Sequence, residues 1–228
     1  MLRAGKNVRV LHRLAMAILL AAMASMPLAD VRLYPSILGS QEFARADLKR
    51  FPKWVSMLSR WQAGAPCQAA DCAVAGWHAL IDRLRGKDLH TQLADVNRAF
   101  NQTRYISDIN NWGKEDYWET PYEFLTRRGD CEDYAIAKMM ALKELGVAEA
   151  DMRILAVRNL ALGGEGHAVL IVYVDGEALM VDNQIPYVVS ANAVAGYEPV
   201  YSINETGWWR HVMPAGALKP EPVLPASP

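Results

Sequence analysis

Residues 112–146 read WGKEDYWETPYEFLTRRGDCEDYAIAKMMALKELG, and this stretch decides the fold. Thr120-Pro121-Tyr122-Glu123 puts a capping hydroxyl, a proline at the first helical position and a glutamate at the third, so a short helix starts there. Gly129 breaks it. Asp130 then caps a second helix that has Cys131 at its first position, a buried face of Ala135, Ile136, Met139, Met140 and Leu142, and Gly146 at its end. A cysteine in the first turn of a helix faces unpaired N–H groups and the positive end of the helix dipole, both of which favour the thiolate. The same donors suit an oxyanion forming beside the sulfur. Position alone leaves a second reading open, that of a small inert thiol packed under the helix.

Downstream, the period changes from helix to strand. Residues 152–158 (MRILAVR) form one predicted strand. HAVLIVYV (167–174), the turn Asp175-Gly176 and EALMVD (177–182) form a hairpin, and Tyr197 to Ile203 adds another strand. A two-residue turn at 175–176 sets Val169 opposite Asp182 and His167 opposite Gln184, so His167 and Asp182 are diagonal neighbours on one face. A carboxylate beside an imidazole fixes its tautomer and orientation, the third-member role of a Cys-His-Asp triad. Taken singly, His167 reads as a surface strand residue and Asp182 as a strand-end turn residue, and a one-residue slip in register would separate them.

Upstream, residues 41–62, 73–85 and 88–102 place apolar side chains at three- and four-residue spacings, so the region is expected to be helical, with an interruption near Pro52. The N-terminus has another character. Arg3, Lys6, Arg9 and Arg13 precede an apolar run at 14–24 (LAMAILLAAMA), too short to span a hydrocarbon core, followed by small residues and Pro27. This is the pattern of a secretory signal over 1–29, with cleavage after Ala24 or Ala29, or else of an uncleaved anchor. The expected organisation is a signal peptide (1–29), a helical subdomain (30–107), a catalytic core (108–213) and a Pro-rich disordered tail (214–228).

Export gives the cysteines a meaning. Cys67 and Cys72, in GAPCQAADCA, are close enough to close a disulfide ring in an oxidising compartment such as the periplasm, and Cys131 is left over. The 228 residues are 52% hydrophobic and 21% charged, which excludes a disordered polar chain, and a net charge of −1 gives no footprint for nucleic acid. Removing 1–29 leaves 20 Lys/Arg against 25 Asp/Glu, a net charge of −5. Asp130, Glu132 and Asp133 bracket Cys131, and their charge opposes a thiolate. Acids in a first helical turn serve as caps, which is sufficient to explain Asp133; three carboxylates within four residues also offer hard oxygen ligands of the kind calcium prefers, but they do not form an EF-hand loop and spacing alone does not choose between the two readings. HExxH, GxSxG, P-loop and GxGxxG motifs are absent, and the five histidines lack zinc spacing.

The strings WGKEDYWETPYEFL, GDCEDYAIAK and GHAVLIVYVDGEALMVDNQ resemble the bacterial transglutaminase-like cysteine proteinases of the LapG type over roughly residues 35–212. The resemblance implies an α+β fold with a papain-like or transglutaminase-like core, its N-terminal helical part packed on an antiparallel sheet. It implies Cys131 as nucleophile, His167 as base and Asp182 as orienter. It further implies periplasmic location and calcium held by Asp130 and Glu132 with Asp133. The implied substrate is the N-terminal region of a very large surface adhesin, cut near a double alanine to disperse biofilm. The implied partner is an inner-membrane receptor for cyclic di-GMP. Two alternatives stand beside this reading: a true transglutaminase using the same triad, and a non-catalytic calcium-dependent binding module.

Overall fold

The computed structural model describes residues 34–64, 73–215 and 217. The expected signal peptide, the expected Cys67–Cys72 disulfide and most of the expected Pro-rich tail lie outside the described residues. Seven strands form one antiparallel sheet in the order β1-β7-β6-β2-β3-β4-β5: β1 (Gln41–Arg45), β2 (Met152–Asn159), β3 (Glu165–Val174), β4 (Glu177–Val181), β5 (Val189–Ser190), β6 (Tyr197–Ile203) and β7 (Trp208–Val212). The helices are α1 (Pro52–Gln62), α2 (Ala73–Leu84), α3 (Leu89–Asn101), α4 (Asp108–Asn111), α5 (Pro121–Arg127) and α6 (Cys131–Glu144). The α+β class expected from the sequence holds. Among the described residues, no helix is long and apolar enough to cross a membrane.

The β3–β4 hairpin has the expected register. Leu170 pairs with Val181 and Val174 with Glu177, and Asp175 and Gly176 both take left-handed φ values of 51° and 80°, as a primed turn requires. This register splits the sheet's two faces. Leu170, Val172 and Val181 pack into one core with α6, while Val169, Ile171, Tyr173 and Met180 pack into another with Ile37, Leu155 and Ala191.

The expectation of helix over 41–62 is corrected in its first part. Residues 41–45 form the edge strand β1, pairing with β7 from Gln41↔Val212 to Arg45↔Trp208, and the helix begins at Pro52. Pro52 occupies the first helical position, where its missing N–H costs nothing, so it starts the helix rather than interrupting it. Helical spacing within 41–45 is outweighed by a partner strand at 208–212, far along the chain, which local periodicity does not reveal.

Helix α6 explains much of the core. Nearly all of it is buried, from Asp133 through Leu142, because α3 lies on one side and the β2–β3 face on the other. Such a helix presents no single apolar stripe. The Trp and Leu residues of α1–α3 face the same core: Trp54, Trp77, Ile81, Leu93 and Val96 are buried, and Trp61 and Trp77 meet edge to face at 5.4 Å.

Candidate active site

Two local devices set the start of α6. Thr120 and Glu123 complete the expected capping box of α5: Thr120 Oγ1 accepts from Glu123 N at 3.3 Å, and Glu123 Oε2 accepts from Thr120 N at 2.7 Å. For α6, Asp133 Oδ2 reaches back to accept from Asp130 N at 3.0 Å, and Asp133 Oδ1 accepts from Glu119 N at 2.7 Å. The buried Asp133 carboxylate thus ties the 117–119 segment to the helix that carries Cys131. Gly129 is required there: a Cβ on it would lie 2.2 Å from Asp133 Oδ2.

Cys131 opens α6, and its Sγ donates to Glu132 Oε2 at 3.2 Å. The backbone N–H of Ala168 also faces the sulfur, which puts the thiol beside β3 next to His167. His167 and Asp182 are both buried and meet as the register requires, with His167 Nε2 and Asp182 Oδ1 2.9 Å apart. A carboxylate only accepts, so Nε2 carries the proton and the unprotonated Nδ1 is an acceptor, which the Gln184 side-chain Nε2 approaches at 3.5 Å. Asp182 also accepts from Gln184 N at 2.9 Å and from the Tyr197 hydroxyl at 2.8 Å. Burial by itself would raise the Asp182 carboxyl, but the hydrogen bond and charge of His167, with the Gln184 and Tyr197 donors, outweigh it and hold the carboxyl below its usual value. Tyr197, which spacing did not single out, also lays its ring 5.6 Å from the His167 ring.

The acidic residues form a larger cluster than the sequence suggests. Donor atoms of Asp130, Cys131 and Glu132 lie within 4.8 Å of one another, and so do those of Asp108, Asp116 and Glu132, and those of Asp108, Asp130 and Asp133. Asp108 and Asp116 arrive from α4 and the following loop, at sequence distances that no local pattern links to Cys131. Asp108 anchors both ends of that loop: its N–H donates to Asp130 Oδ2 at 3.3 Å, and its Oδ2 accepts from Tyr117 N. The second oxygens, Asp108 Oδ1 and Asp130 Oδ1, are buried and accept no hydrogen bond. Both oxygens of Asp133 are taken by backbone donors, so it serves the helix cap at the same time as it borders the cluster.

The electrostatics follow from this crowding. Burial, then the neighbouring Asp130, pushes Glu132 up to about 9. Burial pushes Glu119 up to about 8 and Asp108 up to about 6, and it raises Asp130 and Asp133 too. The Cys131 thiol is driven well above its usual value by burial first and then by Glu132 and Asp130. The conflict expected between thiolate and flanking acids is therefore present. The two unpartnered buried oxygens, Asp108 Oδ1 and Asp130 Oδ1, are hard donors within overlapping carboxylate groups and fit a divalent cation of the calcium type.

The aromatic stretch before α5 is a scaffold. Trp112 and Tyr117 stack at 4.4 Å, Arg127 lies over Trp112 at 4.1 Å, and Arg60 lies over Tyr117 at 4.6 Å while bonding Glu123 Oε2 at 3.0 Å. The Trp112 indole N–H is taken by Glu119 Oε1.

Comparison with known proteins identifies the family. The family model described as bacterial transglutaminase-like cysteine proteinase (BTLCP) matches residues 64–215. The solved structure of Legionella pneumophila LapG is 38% identical over 59% of this chain and 76% of that one, with a TM-score of 0.54. Calcium-bound L. pneumophila LapG is 32% identical over 75% of this chain and 91% of that one, with a TM-score of 0.56. No curated protein gives a match. The family model covers more than half of the chain, and a sulfur at a helix start beside a buried His–Asp pair is what a cysteine proteinase needs: the chain belongs to the bacterial transglutaminase-like cysteine proteinases.

Proposed function

We propose that this proteinase is a calcium-dependent periplasmic endopeptidase that cuts the N-terminal region of a large surface adhesin near a pair of alanines. The cut frees the adhesin and disperses biofilm, and an inner-membrane receptor that senses cyclic di-GMP controls it. The observation that carries the enzymatic part is the His167–Asp182 pair, 2.9 Å apart and buried, beside the Cys131 sulfur at the start of α6. In this reading Asp130, Glu132, Asp108 and Asp116 hold the ion, with Asp133 bracing Asp130 through its backbone N–H. Calcium supplies positive charge that offsets the carboxylates' opposition to a thiolate. The calcium-bound state of the Legionella relative supports the choice of ion.

The residues then divide the work. His167 Nδ1 takes the Cys131 proton, and Asp182 stabilises the imidazolium through Nε2. The sulfur attacks the carbonyl carbon, and the Cys131 N–H at the helix start donates to the oxygen as it becomes negative. His167 returns the proton to the leaving amine as the C–N bond breaks. Water then attacks the thioester, His167 takes its proton, and the acid product leaves as the thiol is restored. Glu132 must release its hydrogen bond from the sulfur for this cycle to begin.

Adhesin N-terminal fragments, incubated with the wild-type chain in calcium, are expected to yield two hydrolysed peptides by mass. Cys131→Ala and excess chelator are expected to yield none. An amine adduct in place of hydrolysis would establish a transglutaminase instead. Undiminished adhesin release by Cys131→Ala in cells would establish a binding module.

A further inference from the structure

Lys138 lies on α6, two turns beyond Cys131, and its side chain is fully buried. An ammonium removed from water costs several kcal/mol unless it is well paired, so an apolar residue would pack here more cheaply. Burial brings its pKa down to about 7, against the attraction of the Asp182 carboxylate. Its Nζ donates to Asn97 Oδ1 at 2.8 Å, and the Tyr134 ring lies 5.8 Å away. Asn97, itself fully buried on α3, passes the bond on: its Nδ2 donates to Ile185 O at 3.1 Å. One turn along α3, Asn101 Nδ2 donates to Asp182 O at 2.9 Å. The segment Asp182–Ile185 leaves β4 without further ladder pairing; the Asp182 carboxylate is held by His167, Gln184 N and Tyr197, and the backbone carbonyls by Asn97 and by Asn101, whose Nδ2 also reaches Ile185 O at 3.4 Å.

We propose that Lys138 is a positioning residue for the reaction: through Asn97 it fastens the Asp182–Ile185 segment to the helix that carries Cys131, and so fixes Asp182, and with it His167, relative to the sulfur. The physical reason lies in the topology. Cys131 belongs to α6, whereas His167 and Asp182 belong to a hairpin on the sheet. A hydrogen-bonded chain from α6 through α3 to the end of β4 couples these bodies with directional bonds, which apolar packing alone does not supply.

The inference rests on the protease reading for its kinetic readout, so a second readout free of substrate is included: the pH profile of Cys131 alkylation by iodoacetamide, followed by mass spectrometry on the calcium-loaded chain. Lys138→Met removes the donor and keeps the volume, while Lys138→Gln keeps an N–H donor toward Asn97. The methionine variant is expected to fold, to lose about tenfold or more in kcat with KM unchanged, and to shift the alkylation profile upward in pH. The glutamine variant is expected to stay within about threefold of wild type. A folded methionine variant with wild-type kcat and alkylation profile overturns the proposal, as does equal loss in both variants. Should Lys138→Met not fold, Asn97→Ala cuts the same chain, leaves room for water around the ammonium, and reads the same way. If the wild-type chain cleaves no adhesin fragment, the protease reading fails by itself, and the alkylation profiles still decide the role of Lys138.

Discussion

Replacing Asp182 with asparagine tests the heart of the site. The carboxylate is fully buried and accepts from His167 Nε2, Gln184 N and the Tyr197 hydroxyl at 2.9, 2.9 and 2.8 Å. An asparagine can keep its oxygen toward His167 and Gln184 and turn its amide toward the Tyr197 oxygen, so the shape survives and every polar atom keeps a partner. What disappears is the negative charge. Opposite unit charges about 4 Å apart at an effective dielectric constant near 20 attract by about 4 kcal/mol, a fair figure for delocalised charges whose nearest atoms are 2.9 Å apart. That attraction exists only while His167 is an imidazolium, the state through which the reaction passes. At 1.36 kcal/mol per tenfold, kcat for adhesin-fragment cleavage is expected to fall about a thousandfold with KM little changed. The assay is steady-state cleavage in saturating calcium, with circular dichroism to establish folding. A folded Asp182→Asn enzyme within tenfold of wild type would refute the claim that Asp182 stabilises the imidazolium.

The acid cluster gives a pH dependence whose sign is fixed. Glu132 and Glu119, raised to about 9 and about 8 in the folded chain, stabilise it below their unfolded values near 4.3, and this contribution is lost as pH rises toward those values. Asp182 has the opposite sign and matters only as pH falls below the ordinary carboxylate range. Thermal melts in chelator are therefore expected to fall steadily from pH 5 to pH 9, with calcium removing most of the slope; a flat profile in chelator counts against the cluster. Tyr197→Phe deletes a charge-assisted hydrogen bond worth about 1.5–3 kcal/mol and should move the acid limb of the kcat profile upward in pH, since the Asp182 carboxyl loses a donor. An unmoved limb would assign Tyr197 to packing alone. Gly129→Ala drives a methyl group into the Asp133 carboxylate and should cost about 1–3 kcal/mol in urea unfolding, so a neutral result would mean the cap of α6 tolerates displacement.

Much of this site was legible in the sequence because its determinants are local. A threonine, a proline and a glutamate in fixed order start α5, and an aspartate before a cysteine starts α6, whatever surrounds them. Asp175-Gly176 sets the hairpin register, and register alone decides that His167 and Asp182 share a face. Local pattern was misleading at 41–45, where three- and four-residue spacing is consistent with helix but β7, distant in the chain, makes a strand. The acidic residues beside Cys131 announced a charge problem without its full membership. Asp108 and Asp116 join the cluster only because the 108–117 loop is drawn across the start of α6 by bonds from Asp108 to Asp130 and Tyr117. Tyr197 and Lys138 likewise read as an ordinary strand aromatic and an ordinary helical lysine. Caps, turns and register are fixed by neighbours within a few residues, so the chain by itself determined the helix that opens on Cys131 and the hairpin that pairs His167 with Asp182. Burial, charge crowding and hydrogen bonds across the chain depend on which surfaces meet, so only the tertiary structure decided that Asp108 and Asp116 join the acids at Cys131 and that Lys138 is fully buried.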